Sequence, residues 1–307
     1  MNYINALVKA ASFSLLCLLS FAGLSQTSEI AKVNIRSSLH EIAKLPKHIR
    51  EASGLEITND KKTLWTHNDG GLPMLYCIDT AGNVLKTIQL NHPNSGWEDL
   101  AVDKNGNLYV GAFGNNGNDK KELKIYKIPT PDSVTEKVVS AGIIKYKYAD
   151  QHAYPPPPHA RNFDMDAFIA MGDSLFLFSK NRTEPFTGYT RIYKLSQQPG
   201  EQIAIPTDSI FLGNGPMMDH WVTAADVSPD GKVLALLSHA CMWLITDFHP
   251  GKFSTGKVRR LDFGHLSHKA GVVFKTSTRL YIVDELEFGI LGGKLYSVDL
   301  SESSGSH

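Results

Sequence analysis

The sequence lacks an excess of charge of either sign. Lysine and arginine together number 31, and so do aspartate and glutamate, so the formal net charge is zero. It also lacks a basic stripe with interleaved aromatic residues, which is the usual footprint of a nucleic-acid-binding surface. We therefore expect no nucleic-acid partner.

Cysteine is scarce. Of the three cysteines, Cys17 lies in an N-terminal apolar run, which leaves Cys77 and Cys241 in the rest of the chain. The repeat described below places these two in non-adjacent units, too far apart for the short Cα separation that a disulfide requires. We expect both to be buried thiols.

Long apolar runs are missing beyond the N-terminus. The first 26 residues contain Lys9 as the only charged side chain, then an apolar run over residues 10–24 and small residues around Ser25. A membrane anchor is the competing interpretation, but the run is shorter than the roughly 20 apolar residues of a spanning helix. We predict a signal peptide over residues 1–26, export to the periplasm or the cell exterior, and no membrane span in the mature chain.

Recognisable catalytic motifs are also missing. The sequence shows no Ser-His-Asp order, no glycine loop for phosphate and no zinc-ligand spacing. It therefore leaves open whether the chain is an enzyme, and no organic cofactor is expected.

What the sequence does contain is a repeat of short apolar segments. Each unit opens with an apolar segment, continues through a polar turn, and adds two segments rich in aromatic and β-branched residues, as antiparallel strands do. A weaker fourth segment follows in all units but the last. The units are spaced by about 45 to 65 residues, which is typical of β-propellers. They begin near Ala52, Trp97, Asp164, Thr223 and Ala270.

The repeat predicts an all-β fold, a β-propeller of five four-stranded blades, with a six-bladed ring containing one degraded blade as the alternative. The last unit lacks a fourth strand, which residues 32–45 can supply, so that an N-terminal strand closes the ring and removes exposed edges. We predict one propeller domain over residues 27–300, a flexible tail over residues 301–307 and a monomeric state.

Polar residues concentrate at one predicted face. In a four-stranded blade, the start of the first strand and the loop after the second strand lie on the same side of the ring. We predict that this mouth binds a small molecule, a glycan or a protein partner. The candidate residues are His67, Asp69, Trp97, Asn115, Lys180, Arg182, His239 and Glu285.

Several carboxylates are predicted near the axis of the ring. Like charges held close together are costly unless a proton or a cation neutralises them, and oxygen ligands suit calcium. The alternative is that these carboxylates accept hydrogen bonds from backbone amides or hold water. The metal-ligand candidates are Ser53, Glu98, Asp164, Asp166 and Asp226.

The repeat segments also resemble a known group of proteins. SGL with LWTHNDGG, WEDLAVD with NLYVGAF, and YIVDELEFGILGGKLYSVDL resemble uncharacterised secreted bacterial propellers related to the SdiA-regulated and esterase-like phytase propellers. The resemblance covers most of residues 50–300, and its motifs are typical of propellers rather than of one reaction.

A more distant similarity is to the calcium-activated apyrases. It implies five blades, a central calcium and hydrolysis of nucleoside di- and triphosphates, with Ser53, Glu98 and Asp166 matching calcium ligands. Ala225 and Ala270 depart from that pattern. A metal-dependent phosphohydrolase, with Lys180 or Arg182 neutralising phosphate charge, is thus the alternative to a binding protein.

Overall fold

The computed structural model describes residues 30–301, and the regular secondary structure of this part of the chain is mainly β-strand. The predicted signal peptide and residues 302–307 of the predicted tail lie outside the described residues. A short α-helix, α1, covers Met217–His220, and 3-10 turns cover Arg36–Ser38, Pro131–Ser133, Pro158–Ala160 and Phe253–Thr255. The strands are β1 Ala31–Asn34, β2 Leu39–Lys44, β3 Ala52–Ile57, β4 Leu64–Asn68, β5 Met74–Ile78, β6 Val84–Leu90, β7 Asp99–Val102, β8 Leu108–Ala112, β9 Leu123–Ile128, β10 Val138–Val139, β11 Gly142–Tyr148, β12 Met165–Met171, β13 Ser174–Ser179, β14 Tyr189–Ser196, β15 Gly200–Phe211, β16 Ala224–Val227, β17 Val233–Leu237, β18 Cys241–Thr246, β19 Lys257–Asp262, β20 Lys269–Phe274, β21 Arg279–Asp284 and β22 Lys294–Asp299.

The strands pair as antiparallel meanders that follow the sequence repeat. Strands β3 to β6 form one meander, and β12 to β15 and β16 to β19 form two others, while β7, β8, β9 and β11 form another. Strands β20, β21 and β22 continue the pattern, and β2 pairs with β22, with Leu39 opposite Val298 and Lys44 opposite Lys294. The N-terminal strand β2 therefore lies at the outer edge of the last meander.

Local sequence explains the hairpins within the meanders. Asp103 Oδ1 accepts hydrogen bonds from the amides of Asn105 and Asn107, and Gly106 has a φ of +78°. Asp79 and Gly82 repeat this arrangement after β5. Aspartate caps the turn and glycine adopts the left-handed conformation at little steric cost, so the polar turns define the ends of the strands.

The first strands of the meanders surround a central axis. Strand β3 packs against β7, β7 against β12, β12 against β16, β16 against β20, and β20 against β3. Buried aromatic side chains fill the spaces between neighbouring sheets, with Trp65 and Trp97 in one cluster and Trp243 and Phe253 in another. Meanders arranged around an axis in this way form a β-propeller.

Several outer strands gain an additional partner. Strand β10 lies parallel to β6, β1 lies parallel to β19, and β11 lies parallel to β15, which joins two meanders into an eight-stranded sheet. Cys77 and Cys241 are buried and free, as the sequence predicted. Among residues 30–301, no helix has the length and apolar character needed to cross a membrane.

Candidate functional site

A cavity of about 210 Å³ opens at one end of the axis. Its lining comes from the starts of the first strands and from the loops that follow the second strands, the face on which the candidate residues were predicted. We call it the mouth cavity. It is lined by Ser53, Asp69, Glu98, Asn116, Asp166, Lys180, Thr223, His239, His268, Ala270 and Glu285.

Lys180 brings a fixed positive charge into the mouth cavity. Its ammonium group pairs with Asp166, and both side chains are largely buried. Burial lowers the pKa of Lys180, but the carboxylates of Asp166 and Asp164 outweigh burial and hold that pKa above its ordinary value. Lys180 is therefore a charged partner of Asp166.

Arg182 is held just outside the mouth cavity. Its Nε lies 2.5 Å from Asp164 Oδ2, and its Nη2 donates to Asn116. The indole of Trp221 lies 4.4 Å from the Arg182 guanidinium and 5.3 Å from Lys180 Nζ. Ion pairs and cation–π contacts therefore fix both cationic side chains in place.

Two carboxyl groups in the mouth cavity form no ion pair, although Lys180 lies close enough to oppose the rise in the pKa of both. Within residues 30–301, neither Asp69 nor Glu98 forms a side-chain ion pair or hydrogen bond. Burial, then the charges of Glu285 and Glu51, raise the pKa of Asp69 to about 6. Burial, then Asp166 and Asp69, raise the pKa of Glu98 well above its usual range. The raised pKa values mean that both groups favour their protonated forms when nothing is bound, and a bound cation would favour their ionised forms.

Two histidines also line the mouth cavity. His268 Nδ1 lies 3.2 Å from Glu285 Oε2, and this hydrogen bond raises the pKa of His268. The His239 ring centroid is 4.6 Å from that of His268. Burial, with the nearby positive charges of His268 and Lys180, lowers the pKa of His239 to about 3, so this imidazole is neutral. His239 is only 5% exposed, and its Nδ1 has no partner among the described residues.

Three of the predicted binding residues lie inside the walls instead. His67 and Trp97 are fully buried and pack edge to face, with ring centroids 5.5 Å apart. Asn115 donates from Nδ2 to the carbonyl oxygen of Phe163 and accepts from the amide of Asp119. These side chains hold the structure around the mouth cavity together and do not line it.

Asp226 lies at the other end of the axis, where a second cavity of about 390 Å³ is present. Its carboxylate accepts from the amides of Val227 and Phe274, and burial raises its pKa to about 7. Similarly, Glu56 accepts from the Val102 amide and the fully buried Asp99 accepts from the Phe168 amide, so these carboxylates link neighbouring inner strands. These contacts match the alternative given in the sequence analysis, in which the carboxylates near the axis accept hydrogen bonds from backbone amides.

The five predicted metal ligands do not fit one calcium site as they are arranged here. Calcium requires six to eight oxygen ligands at about 2.3 to 2.6 Å. Ser53, Glu98 and Asp166 line the mouth cavity, but the Ser53 hydroxyl donates to the Glu98 carbonyl oxygen and Asp166 pairs with Lys180. Among residues 30–301, no cluster of three or more His, Cys, Asp or Glu side chains is positioned to hold a metal ion.

Trp221 is a site residue that the sequence analysis missed. It precedes β16 by three positions, and its Nε1 donates to the carbonyl oxygen of Asn181 at 2.8 Å. The sequence does show an aromatic residue shortly before the first strand of a unit, as it does at Trp97. The contacts of Trp221 with Lys180 and Arg182, however, join segments that are about 40 residues apart in the sequence.

Comparisons with known proteins support no assignment beyond the fold. No protein-family model matches the chain, and no curated protein matches it either. The β-propeller domain of Cps50 (Swd1) from Myceliophteria thermophila is similar at 8% identity with a TM-score of 0.44, over 85% of this chain and 99% of that one.

Two lyase structures are similar at the same level. Virginiamycin B lyase from Staphylococcus aureus shows 12% identity and a TM-score of 0.40 over 83% of this chain and 68% of that one. A streptogramin B lyase shows 16% identity and a TM-score of 0.40, and the match covers 80% of this chain and 66% of the lyase. These likenesses concern the fold alone, so the chain is described as a β-propeller by its own strand arrangement.

Proposed function

We propose that the protein is a binding β-propeller that takes a small, positively charged ligand in the mouth cavity. The observation that carries this proposal is the pair of carboxyl groups, Asp69 and Glu98, that line the cavity without an ion pair or a side-chain hydrogen bond of their own. Ionised carboxylates that are partly buried and close to one another are costly, which is why the pKa values of both groups are raised, and a cation between them would stabilise their ionised forms. Of the predicted ligand classes, a small molecule suits the limited volume of the cavity best.

Thermal melts in the presence of calcium chloride, magnesium chloride and n-butylamine test this proposal. A ligand at 100 times its dissociation constant stabilises the native state by about 2.7 kcal/mol, which raises the melting midpoint by several degrees. We expect the increase to disappear in Glu98→Gln and Asp69→Asn. The control is Asp173→Asn, since the Asp173 side chain is 93% exposed and lies away from the mouth cavity. A midpoint that responds to none of the three cations would contradict the proposal.

A metal-dependent phosphohydrolase is the second candidate. It is favoured by the carboxyl groups of Asp69 and Asp166, whose pKa values of about 6 suit proton transfer near neutral pH and which share the cavity with Lys180. The ion pairs of Lys180 and Arg182 count against it, because both cations already neutralise aspartates. Calcium-dependent release of phosphate from ATP or phytate, abolished in Glu98→Gln, would establish this activity. Binding without turnover would favour the first candidate.

We also infer that the propeller has five four-stranded blades and that β2 closes the ring as the outer strand of the last blade. The support is the pairing of β2 with β22 and the cyclic packing of β3, β7, β12, β16 and β20.

We further propose that the chain is exported after removal of residues 1–26. The support is the apolar run over residues 10–24 that follows a single lysine. N-terminal sequencing of protein recovered outside the cytoplasm should begin at Thr27. Recovery of the intact N-terminus in the cytoplasm would be evidence against export.

A further inference from the structure

A loop with exposed apolar side chains borders the mouth cavity. It connects β21 to β22 and begins with Glu285 and Glu287, which both contact His268. We call residues 286–291 the apolar loop. Phe288 is 89% exposed, Ile290 80% and Leu291 56%.

The backbone of the apolar loop is closed by hydrogen bonds. The Glu287 amide donates to the Leu291 carbonyl oxygen, the Leu291 amide donates back, and the Leu286 amide donates to the Arg50 carbonyl oxygen. Phe288 has a φ of +52°, a left-handed conformation that a bulky residue adopts only at a cost. The loop thus holds a large aromatic ring in solvent at the tip of a closed turn, which marks a surface for binding.

Two more exposed leucines lie next to residues of the cavity wall. Leu72 is 72% exposed and follows Asp69 by three positions, while Leu266 is 63% exposed and precedes His268 by two. A single exposed leucine is ordinary. The exposed apolar side chains therefore lie on three loops, and each of these loops also supplies a polar residue to the acidic mouth cavity.

We propose that the ligand of the mouth cavity is an organic cation that carries an apolar substituent. Its charged nitrogen lies beside Asp69 and Glu98, and its apolar part lies on Phe288 and Ile290. This inference rests on the proposed function and specifies the class of ligand.

His239 is an independent indication of a ligand with N–H groups. Its neutral imidazole lines the mouth cavity, is 95% buried, and has an unpartnered Nδ1. In the tautomer protonated at Nε2, Nδ1 is the acceptor, and an ammonium group can donate a hydrogen bond to it while its charge faces the carboxylates. An inorganic cation would use the carboxylates but would gain nothing from the apolar loop.

Calorimetric titration with n-alkylamines from methylamine to octylamine tests the inference. If the alkyl chain lies on the apolar loop, the dissociation constant should fall by about two- to fourfold for each added methylene until the loop is covered. The matching n-alkanols, which have the apolar chain without the charge, should bind at least tenfold more weakly.

The variant Phe288→Ser/Ile290→Ser should flatten the dependence on chain length while methylamine binds as before. Ile203→Ser is the matched control, since Ile203 is 52% exposed and lies on β15 away from the mouth cavity. Glu98→Gln should weaken every amine by a similar factor.

The outcomes separate the inference from the proposed function. Amines that bind with no dependence on chain length, or a loop variant with the wild-type dependence, would overturn the inference and leave the cation site intact. Binding of calcium without binding of any amine would also overturn the inference and leave the cation site intact. Failure of every amine and of calcium to bind would overturn the inference and the proposed function together.

Discussion

At the scale of single residues, the carboxylates around the axis differ by what they contact. Asp99 and Asp226 accept hydrogen bonds from backbone amides of neighbouring inner strands. Asp166 pairs with Lys180, whereas Asp69 and Glu98 line the mouth cavity without an ion-pair partner. A carboxyl group in this protein can therefore link two strands, pair with a cationic side chain, or serve as a candidate contact for a ligand. The environment that each side chain meets across the axis decides its role.

The pKa of Asp69 predicts how cation binding depends on pH. This pKa is raised to about 6, so the carboxylate loses its charge as the pH falls through 6. We expect affinity for calcium or butylamine to rise between pH 5 and 7, most steeply near pH 6, because the cation binds the ionised form. Titration calorimetry at pH 5 and pH 7 measures this change. Affinity independent of pH in this range would exclude Asp69 as a contact.

Asp226 predicts a different pH dependence, that of stability. Its pKa is about 7 in the folded protein and about 4 in an unfolded chain, so folding favours its protonated form. Its contribution to the free energy of unfolding is complete below pH 4 and is lost as the pH rises from 4 to 7, at about 1.4 kcal/mol per unit of pKa difference. Urea denaturation measures the free energy of unfolding at pH 4.5 and pH 7.5. The change in this free energy between the two pH values should be smaller for Asp226→Asn than for wild type, and it should be the same for Asp173→Asn as for wild type.

At the scale of secondary-structure elements, bulges at the starts of inner strands direct residues towards the mouth cavity. The register between β12 and β13 shifts between Met165 and Ala167, which leaves Asp166 unpaired, and β20 shifts in the same way around Ala270. A bulge turns a side chain out of the regular alternation. The sequence repeat predicted the strands to within a few residues, but an extra residue in a strand leaves no clear mark in an apolar pattern.

Gly54 supports a prediction about strand packing. It lies where β3 shifts register against β4, its φ is +65°, and a Cβ there would lie 2.8 Å from the backbone nitrogen of Leu100 in β7. We expect Gly54→Ala to lower the free energy of unfolding by clearly more than the roughly 1 to 2 kcal/mol of left-handed strain alone. The control is Gly172→Ala, because Gly172 has a φ of +60° with nothing within 4 Å of its added Cβ. Equal losses in urea unfolding would mean that the close approach of β3 and β7 contributes nothing.

At the scale of the whole molecule, the periodicity of the sequence was sufficient to predict an all-β propeller. It was not sufficient to predict the partners around the mouth cavity, because Lys180, Arg182 and Trp221 meet through loops of different meanders. Such contacts depend on how the meanders pack around the axis, which no local pattern encodes. The resemblance to phytase-like propellers and export remain predictions.

The proposed closure of the ring by β2 predicts the effect of N-terminal truncation. Deleting residues 1–34 removes β1, whereas deleting residues 1–44 also removes β2 and the buried Ile35, which leaves the edge of β22 open. We expect the shorter truncation to melt close to the mature protein. The longer one should melt at least 10 °C lower and elute earlier than the shorter one in size-exclusion chromatography, because its open edge can pair with other copies. Two truncations with the same midpoint would contradict closure by β2.

The additional pairings of the outer strands also bear on solubility. Strand β10 covers part of β6, β1 covers part of β19, and β11 and β15 cover each other. Strand β2 is the outer strand without such a cover among the described residues, and its pairing with β22 shifts register between Glu41 and Ala43. An irregular edge with charged residues such as Glu41 and Lys44 is a poor template for another strand. Within residues 30–301, the outermost strands of these sheets are therefore the four residues of β1, the two residues of β10 and the irregular β2, which are poor templates through which copies could join into aggregates at high concentration.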